Sequence, residues 1–117
     1  MTRVSETLRY VHDTLLLGGF NATPGATLGS YSFAAAVQRA GIDADEIDDV
    51  IWGSALQQGA QAGNIGRQGA LRGGAPVTVS GQSIDRQCSS GMMAIATAAK
   101  QVITDNMDIV VGGGQES

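Results

Sequence analysis

An α/β fold, with helices covering a mainly parallel sheet, is what this sequence predicts, and three observations carry that prediction. Short apolar runs of strand character alternate with segments of 3.6-residue periodicity, the pattern of strand–helix–strand crossovers. The 17 glycines gather at the ends of those segments, where tight strand-to-helix turns need them, and there is no low-complexity tract. At 117 residues the chain is one domain's worth, and with 43% hydrophobic but only 4% aromatic residues its core must be built from Ala, Val and Ile. Strand order is not readable from such a pattern.

The elements follow in order. Residues 1–19 place Val4, Leu8, Val11 and Leu15 at helical spacing with charged residues between them, an amphipathic-helix pattern. Leu15, Leu16 and Leu17 offer a strand as the alternative. Residues 27–40 read as a helix carrying Leu28, Tyr31, Ala35, Gln38 and Arg39 on one stripe, stopped by Gly41 at the position after the C-cap. Asp43 to Asp49 form an acidic connector, read as a solvated turn with a capping aspartate rather than a metal site. Val50, Ile51 and Trp52 open a buried strand running toward Leu56.

Residues 61–73 read as a second helix with Ile65, Gly69 and Leu71 inward and Gly73-Gly74 as its stop. Arg67 within it has two readings, a surface cation or a structural side chain making several directed hydrogen bonds, and the second is preferred. Residues 77–80 and 82–85 are short extended pieces. Residues 88–104 are the strongest helix, with Met92, Ile95, Ala96, Ala99 and Ile103 on one face as core or interface packing. Ile109, Val110 and Val111 form the last strand, ended by Gly112-Gly113-Gly114, which lacks the spacing of a dinucleotide loop.

Charge and composition exclude several classes of function. The formal charge of −4 leaves no basic stripe, which argues against nucleic acid as a partner. No apolar run approaches the roughly 18 residues of a membrane span, and the N-terminus lacks the layout of a secretory signal, so a soluble, cytoplasmic protein is expected. One cysteine forms no internal disulfide, as suits a reducing compartment.

That cysteine is the candidate catalytic residue. Cys88 stands in Arg86-Gln87-Cys88-Ser89-Ser90-Gly91, where an extended segment meets an Ala-rich helix. A thiol at a helix N-terminus faces unsatisfied N–H groups and the positive end of the macrodipole, both of which favour the nucleophilic thiolate. The competing reading is a small buried hydrophobe. The small residues that follow favour reactivity, because a substrate carbonyl can then approach both the sulfur and the first amides of the helix.

The stretch Ile84-Asp85-Arg86-Gln87-Cys88-Ser89-Ser90-Gly91-Met92-Met93-Ala94-Ile95, with Ala98-Ala99-Lys100-Gln101-Val102-Ile103 and Asp108-Ile109-Val110-Val111-Gly112-Gly113-Gly114-Gln115-Glu116-Ser117, resembles the nucleophile helix and following strand of thiolases. The likeness extends upstream through Ala40-Gly41-Ile42-Asp43, Ile47-Asp48-Asp49-Val50-Ile51-Trp52-Gly53 and Gly63-Asn64-Ile65-Gly66-Arg67-Gln68. It covers about residues 20–117, part of the family's N-terminal domain, and leaves 1–19 unmatched.

The resemblance implies an acyl-CoA C-acyltransferase that cleaves a 3-ketoacyl-CoA by thiolysis, or condenses two acyl-CoA molecules, through an acyl group carried on Cys88. Coenzyme A enters as a substrate thioester, with no bound cofactor or metal. A homodimer is also implied, burying the segment before Cys88 and the Met-bearing helix against a twin.

Three departures from the family qualify this. Thiolases use a histidine from a Gly-His-Pro segment and a second cysteine from a Cys-x-Gly-Gly-Gly segment; the chain has neither, and His12, outside the likeness, is assigned no role. Thiolases are also expected to place a first strand between those matching residues 50–56 and 108–112, and residues 1–19 do not match it. Finally, Ser117 falls within the family's N-terminal half. Acylation of Cys88 without turnover is the expectation for these residues alone; the alternative is a noncatalytic, thiolase-derived module limited to dimer association or not stably folded.

Overall fold

The computed structural model describes residues 25–116. The readings made for 1–24, including the amphipathic helix, the strand at 15–17 and His12, lie outside the described residues. Helix α1 (Gly25–Ala40) leads through a single 3₁₀ turn (Ala44–Glu46) into strand β1 (Asp49–Gly53). A second 3₁₀ turn (Gly59–Gln61) precedes helix α2 (Ile65–Arg72), strand β2 (Gln82–Ile84), helix α3 (Ser90–Thr104) and strand β3 (Val110–Gly114).

The described strands form one parallel sheet in the order β2-β1-β3. Helices α1 and α2 cover one face and α3 the other, the layered α/β arrangement that the alternating periodicities predict. Central β1 is buried along its whole length. Its alternating side chains divide the core: Val50 and Trp52 join Phe33, Ile65 and Ala70, while Ile51 joins Ala94 and Ala98.

One expectation fails here. β1 and β3 pair directly, in register from Asp49 with Val110 to Gly53 with Gly114. No strand stands between them, and their facing backbone groups satisfy one another.

Helix positions are read correctly from the sequence, but their buried faces are not. In α1 the buried residues are Gly25, Thr27, Gly29, Ser30 and Phe33 rather than the stripe through Leu28, Tyr31 and Ala35. The cause is close packing on α2, where a Cβ added at Gly69 would stand 3.6 Å from the Gly29 carbonyl carbon. At that distance small residues, not large ones, mark the inner side. In α2, Leu71 points outward, and Ile65, Gly66, Gly69 and Ala70 are buried.

In α3, Met92, Ile95, Ala96, Ala99 and Ile103 share one face as expected, and that face is exposed, which removes the core half of the core-or-interface reading. Ser90, Ala94 and Ala98 face the sheet instead. A Cβ at Gly53 would fall 2.3 Å from the Ser90 carbonyl carbon, and one at Gly112 would fall 2.9 Å from Ile95 Cα. The helix therefore lies too near the strands for any side chain larger than serine. The glycine run belongs to β3 itself rather than ending it, and residues 77–79 are a turn rather than a strand.

The acidic connector is solvated only in part. Asp43 N–H donates to Glu46 Oε2 (2.9 Å) across the 3₁₀ turn. Asp48 accepts from the Asp108 and Ile109 amides (2.8 and 3.0 Å). Asp49 is buried, and its carboxylate accepts from Val50 N (2.8 Å), Ser80 Oγ (2.8 Å), Gln101 Nε2 (2.8 Å) and Gln82 Nε2 (3.3 Å). Burial pushes its pKa up, but the hydrogen bonds from Gln101, Ser80, the Val50 amide and Gln82 outweigh it and hold the carboxyl below its ordinary value. One anion thus ties β1 to the turn before β2, to β2 and to α3. The structural reading of Arg67 is the correct one, since its guanidinium donates to the carbonyls of Val79 and Val77 and fixes that same turn.

Candidate active site

All three strands run parallel, so β1, β2 and β3 end on one edge of the sheet. Open α/β sheets form their clefts at this carboxyl edge. An open cleft of about 590 Å³ lies there, lined by Gly53, Gly113 and Gly114 at the strand ends, by Cys88, Ser90 and Gly91 at the start of α3, and by the segments that leave β1 and β3.

Between β2 and α3 the chain makes a tight turn. Gln87 adopts φ +49, a left-handed conformation that costs a residue with a Cβ about 1 kcal/mol or more. Local hydrogen bonds hold it there. Gln87 N–H donates to Asp85 Oδ1 (2.8 Å), while Ser90 Oγ accepts from Arg86 N–H (2.8 Å) and donates to the Gln87 carbonyl (2.6 Å). The result is that Cys88 is a free, exposed thiol on the cleft wall, which rules out the buried-hydrophobe reading.

The local detail differs from the sequence reading. Helix α3 begins at Ser90, so Cys88 stands on the turn rather than in the helix. The amides that follow it are already engaged: Ser89 N–H donates to the Arg86 carbonyl (3.1 Å) and Ser90 N–H to the Gln87 carbonyl (3.0 Å). The Ser89 and Ser90 amides are thus not open donors for a substrate carbonyl.

Another wall is built by residues for which sequence reasoning gave no role. Glu116 Oε1 accepts from Ser54 Oγ (2.8 Å), Ala55 N (2.8 Å) and Gln61 Nε2 (3.4 Å), and Oε2 accepts from Leu56 N (3.2 Å). Desolvation raises its pKa, but these donors, led by Ser54 and the Ala55 amide, bring it below the usual glutamate value. Gln115 accepts from Trp52 Nε1 (3.2 Å) and donates to the Gly25 carbonyl (2.8 Å). No local pattern announces these contacts, because the partners of Glu116 lie about 60 residues upstream.

Fold and cleft together define an α/β protein that holds its single cysteine as an exposed thiol at the carboxyl edge of a parallel sheet. Residues 6–117 match the thiolase N-terminal domain, a span that takes in most of the N-terminal segment as well as the residues described above. The chain is 41% identical over 99 residues to a 3-ketoacyl-CoA thiolase of Acinetobacter baumannii (strain AYE), covering 85% of this chain and 25% of that protein. It is 36% identical over 100 residues to an acetyl-CoA acetyltransferase of Shinella zoogloeoides, covering 86% and 25%. The crystal structure of the Bacillus anthracis acetyl-CoA acetyltransferase matches with a TM-score of 0.71 and 42% identity, over 80% of this chain and 23% of that one. The chain belongs to the thiolase family. It spans about a quarter of the length of the curated relatives it matches.

Proposed function

We propose that Cys88 accepts an acyl group from a coenzyme A thioester, the first half of a thiolase-type C-acyl transfer. The observation that carries this reading is the free thiol of Cys88 on the wall of a cleft at the carboxyl edge of the sheet. The Cys88 sulfur attacks the thioester carbonyl, the bond from that carbon to the coenzyme A sulfur breaks, and a new thioester to Cys88 forms. The proton lost by Cys88 leaves with coenzyme A as its free thiol, so the exchange is balanced and needs no redox partner.

Family membership supports acyl-CoA as the substrate class. Thiolytic cleavage of a 3-ketoacyl-CoA, or the reverse condensation, is the activity we propose for the whole protein. Among the described residues there is no histidine and no second cysteine. The chemistry assigned to this chain therefore stops at the acyl-Cys88 intermediate. The reduced, exposed thiol suits the cytoplasm as its setting; among the described residues no helix is long and apolar enough to cross a membrane.

The test is stoichiometric release of free coenzyme A from acetyl-CoA. One equivalent per chain, lost in Cys88→Ser, is expected; equal release from the mutant would contradict the assignment. A second reading, association without catalysis, is favoured by one observation: Met92, Ile95 and Ile103 leave an apolar face of α3 exposed. On that reading the face buries against a second copy, and light scattering at high concentration should give a dimer; a monomer would remove it.

A further inference from the structure

We propose that Glu116 is the positioning residue of the Cys88 cleft, holding residues 54–56 as a fixed wall against which an acyl thioester is aligned. The proposal rests on the acyl-transfer reading of Cys88 and adds to it a residue that never touches the sulfur.

β1 ends at Gly53; the Ser54 amide still donates to the Ile84 carbonyl of β2 (3.0 Å), but the Ala55 and Leu56 amides leave the sheet edge with no strand to pair them. One carboxylate satisfies them, taking the Ala55 and Leu56 N–H groups and the Ser54 hydroxyl together. Gln61, 1% exposed, closes the loop from behind, with Nε2 donating to the Leu56 carbonyl (3.0 Å) and to Glu116. The Gln115 amide donates to the Gly53 carbonyl (3.0 Å), so the exits from β1 and β3 are stitched to one another.

The consequence for the cleft is direct. Ser54, Ala55 and Leu56 line the same cavity as Cys88, and Leu56 is 65% exposed, offering an apolar surface beside the thiol. An exposed leucine on a free loop would sample many positions. With its amide held by a charged acceptor its backbone keeps one, and alignment of a bound acyl group against the sulfur depends on such fixed contacts. Glutamine at position 116 would keep the shape but lose the charge, leaving a weaker acceptor for two backbone amides and a hydroxyl.

The test uses the full chain and its Glu116→Gln and Glu116→Asp variants. Three rates are compared: acylation of Cys88 by acetyl-CoA, alkylation of Cys88 by iodoacetamide, and amide exchange at Ala55 and Leu56. In Glu116→Gln, acylation is expected to slow about tenfold and exchange at both amides to quicken by a similar factor, with alkylation within about twofold of wild type. Glu116→Asp, which keeps the charge, should recover part of the acylation rate. Acylation and alkylation falling together would overturn the proposal, since that is the mark of general structural damage, as would unchanged acylation. A wild-type chain that takes no acyl group sinks the acyl-transfer reading instead, and amide exchange then decides whether Glu116 holds the wall.

Discussion

Ile51 and Trp52 are neighbours on β1, yet they face cores of different kinds. On the side of Trp52, α1 and α2 bring Phe33 and Ile65 against Val50 in an interior filled by large side chains. On the side of Ile51, α3 presents Ala94 and Ala98 to a surface where Gly53, Gly112 and Gly114 provide no side chains. The first face is held together by volume. The second is held by close approach, which sets the start of α3 against the ends of β1 and β3 and so brings Cys88 to the cleft. Stability and site geometry therefore rest on opposite sides of one sheet.

Substitutions on the two sides should separate these roles. The largest loss is expected from Phe33→Ala, which empties a fully buried position on the filled side and should cost about 4 kcal/mol by chemical denaturation, with Cys88 alkylation in the remaining folded chain little changed. On the other side, Gly53→Ala adds one methyl where the backbone of Ser90 and Gly91 stands 2.3 to 2.5 Å away. It should cost about 3 kcal/mol and also alter the reaction of Cys88 with acetyl-CoA, because only a displaced helix can make room. An unchanged acylation rate in folded Gly53→Ala would break the contrast. Gly91→Ala, whose new methyl meets nothing within 4 Å, should instead stabilise the helix by about 0.5 to 1 kcal/mol.

Asp49 spans both sides, since it begins β1 and accepts from Gln101 of α3 and Ser80 beside α2. Its pKa in the folded state lies below the ordinary value, so its contribution is present in full above about pH 4 and is lost as pH falls through the lowered folded value. Asp49→Asn should lower stability by about 2 kcal/mol at neutral pH and flatten this part of the acid dependence. A denaturation series that keeps its full acid slope in the mutant would place that slope elsewhere. The smallest effect belongs to Ile103→Ser on the exposed face of α3, within about 0.5 kcal/mol for the isolated chain.

The same contrast explains what the sequence made legible. Strands and helices follow from periodicity, and glycine stops such as Gly41, at φ +70, mark real helix ends. Cys88 is legible because the turn and small residues around it are contiguous. Which helix face turns inward is not legible where glycines invert the usual rule: opposite a glycine-lined strand the inner stripe of α3 is alanine, and its large apolar residues fall outside. Asp49 and Glu116 were not legible as anchors, because their donors come from segments about 30 to 60 residues away. The direct pairing of β1 with β3 is long-range in the same way, and no local pattern encodes it.

The central claim is that the thiol at the cleft edge is the acyl acceptor. Its most direct test is to expose the full chain briefly to acetyl-CoA, digest it at low pH and locate the acetyl group by peptide mass. One acetyl group on the peptide containing Cys88, blocked by prior alkylation of that thiol, is the predicted result; an unmodified Cys88, or an acetyl group carried elsewhere at the same rate, would contradict it.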